Sequence, residues 1–227
     1  HYVTVRSDGH VTIESELGRL KRTGGNILLT GDVPEDVFDQ LSAQFLGDPA
    51  LDRTYFFALY GKNAQVAQSR VSQAGVSPDR THVLTHEPVA RSAAQGQSSQ
   101  SSQLSISPVT GPLEDFQTTI RDQAFDLQQE HSGLAPAELR FCFDSLQLLI
   151  EEEDTDTADQ FITAVTETIG EVGGLGHYII PDTYDSHPVQ EVRSTFDVVI
   201  ELKIGVNGIE QRLHLQDTDH TTQWFQI

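Results

Sequence analysis

An α/β fold, with a mainly parallel sheet flanked by helices and a C-terminal antiparallel hairpin, is what this sequence predicts. Three observations carry it. Short apolar runs alternate with amphipathic helical stretches from residue 25 onward, Gly24-Gly25 and Gly173-Gly174 punctuate two of the helices, and Asn207-Gly208 separates two β-prone runs near the end. Apolar strands separated by helices imply a parallel sheet buried on both faces. At 227 residues the chain fits one domain spanning 1–227.

The opening residues Tyr2–Val5 and His10–Ile13 flank Asp8-Gly9, which predicts an N-terminal β-hairpin appendage over residues 1–13. Leu17 and Leu20 stand at helical spacing within 14–23, and Gly24-Gly25 stops that helix. A strand follows in Asn26–Thr30. The next helix, 33–46, carries Val37, Phe38, Leu41, Phe45 and Leu46 on one face, with Asp32 and Glu35 spaced as an acidic capping pair.

Thr54–Tyr60 reads as an aromatic strand, 63–73 as a weak helix and Thr81–Thr85 as a further strand. Residues 86–110 break the rhythm. Ala93 to Ser105 is almost entirely Ser, Gln, Ala and Gly, which predicts a flexible surface loop. Periodicity then returns with a helix over 113–130, a strand over Leu139–Phe143 and a strongly amphipathic helix over 156–172. A strand over His177–Ile180, a short helix near 187–194 and a hairpin over Phe196–Ile204 and Ile209–Leu215 complete the pattern.

Charge excludes some functions. The chain holds 34 acidic against 14 basic residues, a net charge of −20, which repels nucleic acid and anionic membranes. Only Lys21, Lys62 and Lys203 are lysines; the other cations are arginines. Acid-rich, lysine-poor composition resembles proteins of salt-adapted archaea, whose molar cytoplasmic salt shortens the screening length to about 3 Å. A lone cysteine, Cys142, in an apolar run excludes an internal disulfide and fits a reducing, cytoplasmic location. No apolar stretch approaches the roughly 18 residues of a membrane span, and no signal peptide is expected. The chain opens on His1 rather than Met, which leaves room for sequence ahead of it.

Three segments, in order, carry a family resemblance. Gly25-Asn-Ile-Leu-Leu-Thr-Gly31 resembles the strand that feeds a phosphate loop. Glu138-Leu-Arg-Phe-Cys-Phe-Asp144-Ser145 resembles the apolar strand that ends in a metal-side Asp. Gly176–Ile180 and Phe196–Leu202 resemble the late strands, the second with a Phe-Asp-x-x-Ile pattern. Together they are similar to RecA/KaiC-type ATPases, and in particular to a degenerate haloarchaeal RecA-like group of unassigned function. The resemblance implies a RecA-like, P-loop NTPase-type layout.

The departures from that family decide the functional expectation. A phosphate loop needs G-x-x-x-x-G-K-[ST], and counting from Gly31 the last three positions are Asp36, Val37 and Phe38. Asp32, Glu35 and Asp36 place carboxylates where a triphosphate would sit, each like-charge contact costing about 1 kcal/mol in water at ~4 Å. After the second strand, where relatives carry a catalytic glutamate, this chain reads Leu59-Tyr60-Gly61-Lys62.

The expected protein is therefore a non-enzymatic RecA-like scaffold, regulatory or protein-binding, with no cofactor and no metal. Its partner is another protein or a second copy, not nucleic acid or membrane. Gly31, Asp32, Asp144 and Ser145 mark a vestigial cleft, where open α/β sheets place ligands. Two alternatives compete: a divergent ATPase or hydrolase centred on Asp144-Ser145, and a small-molecule sensor using the same cleft. Ser145 with His177 as a hydrolase pair lacks a G-x-S-x-G elbow. The acidic run 151–156 lacks calcium-loop spacing, and His177, Asp182, Asp185 and His187 match no metal-site spacing.

Overall fold

The computed structural model describes residues 8–87 and 104–227, with side chains from residue 15 onward. In chain order the elements are α1 (Asp8–Thr23), β1 (Gly25–Gly31), α2 (Glu35–Leu46), β2 (Thr54–Tyr60), α3 (Gln65–Ala74), β3 (Thr81–His86) and β4 (Ser105–Val109). They continue with α4 (Leu113–Glu130), β5 (Leu139–Asp144), α5 (Leu146–Glu152), α6 (Thr155–Glu171), β6 (Leu175–Ile180), α7 (His187–Val192), β7 (Val198–Gly205), β8 (Gly208–Leu215), β9 (His220–Thr221) and β10 (Phe225–Gln226).

One ten-stranded sheet has the order β10-β8-β7-β1-β6-β5-β2-β3-β4, with β9 on β8. From β4 to β7 the strands run parallel, and β8, β9 and β10 are antiparallel. The layout is the expected mainly parallel sheet, with the antiparallel hairpin β7–β8 closing around Asn207.

Successive residues of a strand point to opposite faces, and both faces here are apolar. Phe56, Ala58 and Tyr60 of β2, Phe141 and Phe143 of β5 and Tyr178 of β6 face α4, α6 and α7. Phe143, Phe161, Phe116 and Tyr178 make edge and stacked ring contacts there. On the opposite face Ile27, Leu29, Ile179 and Ile200 pack under α1 and α2, while Tyr55, Phe57 and Cys142 pack under α3.

Three expectations need correction. Residues 8–13, read as part of a hairpin, belong to helix α1; residues 1–7 lie outside the described residues. β-propensity depends on a partner strand, whereas the same stretch continues the helix already signalled by Leu17 and Leu20, with Lys21 and Arg22 at its C-terminal, electronegative end. The loop expected over 86–110 is bounded more tightly: His86 closes β3 and residues 105–109 form β4, paired in parallel with β3. Of that loop, residues 88–103 lie outside the described residues. Asp32 and Glu35 do not form a capping box, because Pro34 holds the N-cap position of α2 and makes no side-chain bond. The short strands β9 and β10 carry no sequence signal, being two residues each.

Candidate functional site

The connection after β2 runs to α3 on one face of the sheet, and the connection after β5 runs to α5 and α6 on the other. Where neighbouring strands send their chains to opposite faces, a crevice opens at their C-terminal ends. Asp144 ends β5 here and Ser145 follows it, beside Tyr60 at the end of β2 and the Gly61-Lys62 that follows.

Alternation along β5 sends Arg140, Cys142 and Asp144 to the face covered by α2 and α3. On α3, the inward stripe at helical spacing is Ala67, Arg70 and Val71, so a guanidinium is pushed into an apolar layer. Asp144 receives it. Arg70 Nη2 lies 2.9 Å from Asp144 Oδ2 and 3.1 Å from Asp39 Oδ1 of α2, and both the Arg70 and Asp144 side chains are 2% exposed. Lys62 Nζ reaches the same Asp144 oxygen at 3.2 Å and Glu35 Oε1 at 3.7 Å. Arg70 Nη1 also donates to Cys142 Sγ at 3.3 Å.

Burial opposes the charge of Arg70, but the Asp144 carboxylate and the hydrogen bonds to Asp144 and Asp39 outweigh it and raise its pKa. Burial pushes the Cys142 thiol up, so it stays protonated. Ser42 Oγ lies 2.7 Å from His177 Nε2 beneath α2. Burial, followed by Arg70 and Arg140, lowers His177 to about 3, leaving a neutral imidazole.

These contacts separate the residues singled out by sequence. Asp144 is the hub of the cluster. Ser145 instead caps α5, its Oγ accepting from the Leu148 N–H at 3.1 Å, and His177 pairs with Ser42 rather than with Ser145. Gly31 serves packing: its N–H donates to the Asp182 carbonyl at 2.7 Å, and the Leu202 backbone closes over its α-carbon. Asp32 is exposed, and among the described residues no bond joins it to Asp144. Sequence reasoning missed Arg70, Lys62 and Asp39. The available signal was an arginine on the apolar stripe of a helix, a position that requires a buried anion. Among the described residues no three His, Cys, Asp or Glu side chains converge as a metal site.

Residues 24–202 match a family of unknown function (DUF7504). The chain belongs to that family. No curated protein matches the sequence. Among solved structures, an uncharacterized protein from Pyrococcus horikoshii (PH0321), crystallised with an unknown peptide, is similar in fold. It superposes with a TM-score of 0.59 at 12% identity, over 90% of this chain and 88% of that one. Among the described residues no helix is long and apolar enough to cross a membrane.

Proposed function

We propose that this DUF7504 member is a non-catalytic RecA-like scaffold of a salt-adapted archaeal cytoplasm, used for regulation through a protein partner or a second copy. One observation carries the reading. The carboxylate that a RecA-type ATPase would offer to a metal is occupied by Arg70 and Lys62 on a single oxygen, with almost no exposure. The strand order supports the layout: β7-β1-β6-β5-β2 surrounds β1, the strand that would feed a phosphate loop. Beyond β1 the chain supplies Asp32, Glu35 and Asp36, and the Gly31 N–H is already bonded to Asp182. A triphosphate would meet carboxylates and an occupied amide.

The Pyrococcus protein's bound peptide supports the protein-interaction part of the reading. So does the open edge of β4, where Ser105, Ile106 and Ser107 are exposed and one side of the strand has no neighbour among the described residues. The charge of −20 argues against nucleic acid as the partner. Isothermal titration with Mg-ATP in 2–3 M KCl tests the scaffold reading. No saturable heat is expected, and micromolar, Mg²⁺-dependent binding would return the protein to the nucleotide-binding ATPases.

A further inference from the structure

At the opposite end of the sheet from Asp144, where β1, β2, β5 and β6 begin, a cleft of about 280 Å³ opens under α1 and α2. Leu17 and Leu20 of α1, Ile27 of β1, Leu41 and Phe45 of α2 and Leu175 of β6 form apolar walls. Its polar lining is Arg140 of β5, Arg53 just before β2, Lys21, Gln44, Asp48 and Gln211.

Those two arginines are out of keeping with the rest of the molecule. The chain has more than two acidic residues for every basic one. Even so, among the described residues neither guanidinium makes an ion pair. Arg140 is 2% exposed and is held by two backbone carbonyls, Ala137 at 2.8 Å from Nε and Phe45 at 2.8 Å from Nη1. Arg53 Nη1 donates to the Asp48 carbonyl at 3.3 Å. The Asp48 carboxylate turns back on its own loop, accepting from the Ala50 N–H at 2.9 Å.

Gly47 brings the two cations together. A β-carbon there would overlap the Arg53 guanidinium and lie 3.4 Å from Arg140 Nη1, so both head groups converge over a residue with no side chain. Burial, and then the proximity of Arg53, lower the Arg140 pKa to about 10. A buried guanidinium beside a second, partly exposed one, neither bonded to a carboxylate, is costly, and a ligand anion between the two forks would relieve it.

We propose that this cleft binds a small apolar monocarboxylate, its hydrocarbon part against Leu20, Ile27, Leu41 and Phe45 and its carboxylate on Arg53 and Arg140. A planar carboxylate suits the guanidinium fork. The volume, near the lower end of the ~300–1,000 Å³ usual for small-molecule sites, selects a compact ligand. The apolar walls exclude a polyphosphate, which would carry its hydration into them.

Sodium octanoate, octanamide and sodium acetate, titrated into the full chain at constant ionic strength with melting and calorimetry as readouts, test this. Octanoate should bind saturably and raise the melting temperature. It should bind at least about tenfold tighter than the uncharged amide, as expected for charge-assisted hydrogen bonds. Arg53→Ala, at a partly exposed position, should abolish that difference while the protein remains folded. Leu20→Glu, which puts a carboxylate into the wall, should abolish octanoate binding. Equal affinity for octanoate and octanamide, equal affinity for octanoate and acetate, or octanoate binding unchanged in Arg53→Ala would each overturn the proposal. So would competition by chloride strong enough that no octanoate binding survives at 2 M KCl.

Discussion

Arg70 and Asp144 face each other across the interior of this protein at 2.9 Å, each side chain 2% exposed. One comes from a helix and the other from the end of a central strand, so the contact fixes α3 onto β5. Desolvating two charges offsets much of their attraction, and such a pair is weak evidence for stability taken whole. Breaking it is different, because the survivor is left buried and unpaired.

Arg70→Ala should therefore destabilise the fold by about 3–5 kcal/mol, the usual cost of stranding a buried charge. Arg70→Met with Asp144→Leu, which removes both charges at similar volume, should cost much less than the two single changes added together. Chemical denaturation of the four proteins completes the cycle. Additive losses would show that the pair is not the coupled unit described.

Much of the architecture is legible in the sequence because it rests on period. The apolar runs of β1, β2, β5 and β6 and the stripe of α6 have a solution only when covered on both faces, and they pair as expected. The edges are less legible. Ser105–Val109 becomes β4 only because β3 offers a ladder, a long-range fact that the short run Ser-Ile-Ser-Pro-Val does not announce. Residues 8–13 are β-prone by composition but continue a helix.

The site divides in the same way. Asp144 could be read from its place at a strand end. Its neutralisation could not, since Arg70 stands 74 positions away in sequence. Gly31 carried a phosphate-loop signal, but packing explains it: Leu202 occupies the space where a side chain would go.

Gly31 leaves no room for a side chain. Its φ of +145° is unfavourable for any residue with a β-carbon, and the Leu202 carbonyl carbon would stand 3.0 Å from that carbon. Gly31→Ala should lose at least about 1–3 kcal/mol of stability, with or without nucleotide. A variant as stable as the parent would mean that β1 and β7 separate more easily than their register implies.

His177 gives an acid-side signature. Its pKa falls from 6.5 to about 3 on folding, chiefly through burial, so the unfolded chain binds the extra proton between those values. Stability contributed by this group is complete above about pH 6.5 and falls as pH drops toward 3, by roughly 1.4 kcal/mol per unit in mid-window. His177→Asn, which can still bond Ser42, should flatten the stability profile between pH 6 and 4 by about one proton. An unchanged slope would place the acid sensitivity in other groups.

Salt separates surface from interior electrostatics in this protein. A net charge of −20 on this chain repels itself over a distance set by the ionic strength. That distance is about 10 Å at 0.1 M and about 3 Å at 1 M, so most of the relief comes below 1 M. The melting temperature should rise steeply from 0.1 to 1 M KCl and more slowly to 3 M. The Arg70–Asp144 contact is shielded by protein rather than by ions, so the coupling energy of that cycle should be nearly the same at both ends of the series. A flat or falling melting temperature would remove the salt-adapted reading. A coupling energy that collapsed with salt would show that water and ions reach Asp144, and would reopen the cleft as a ligand site.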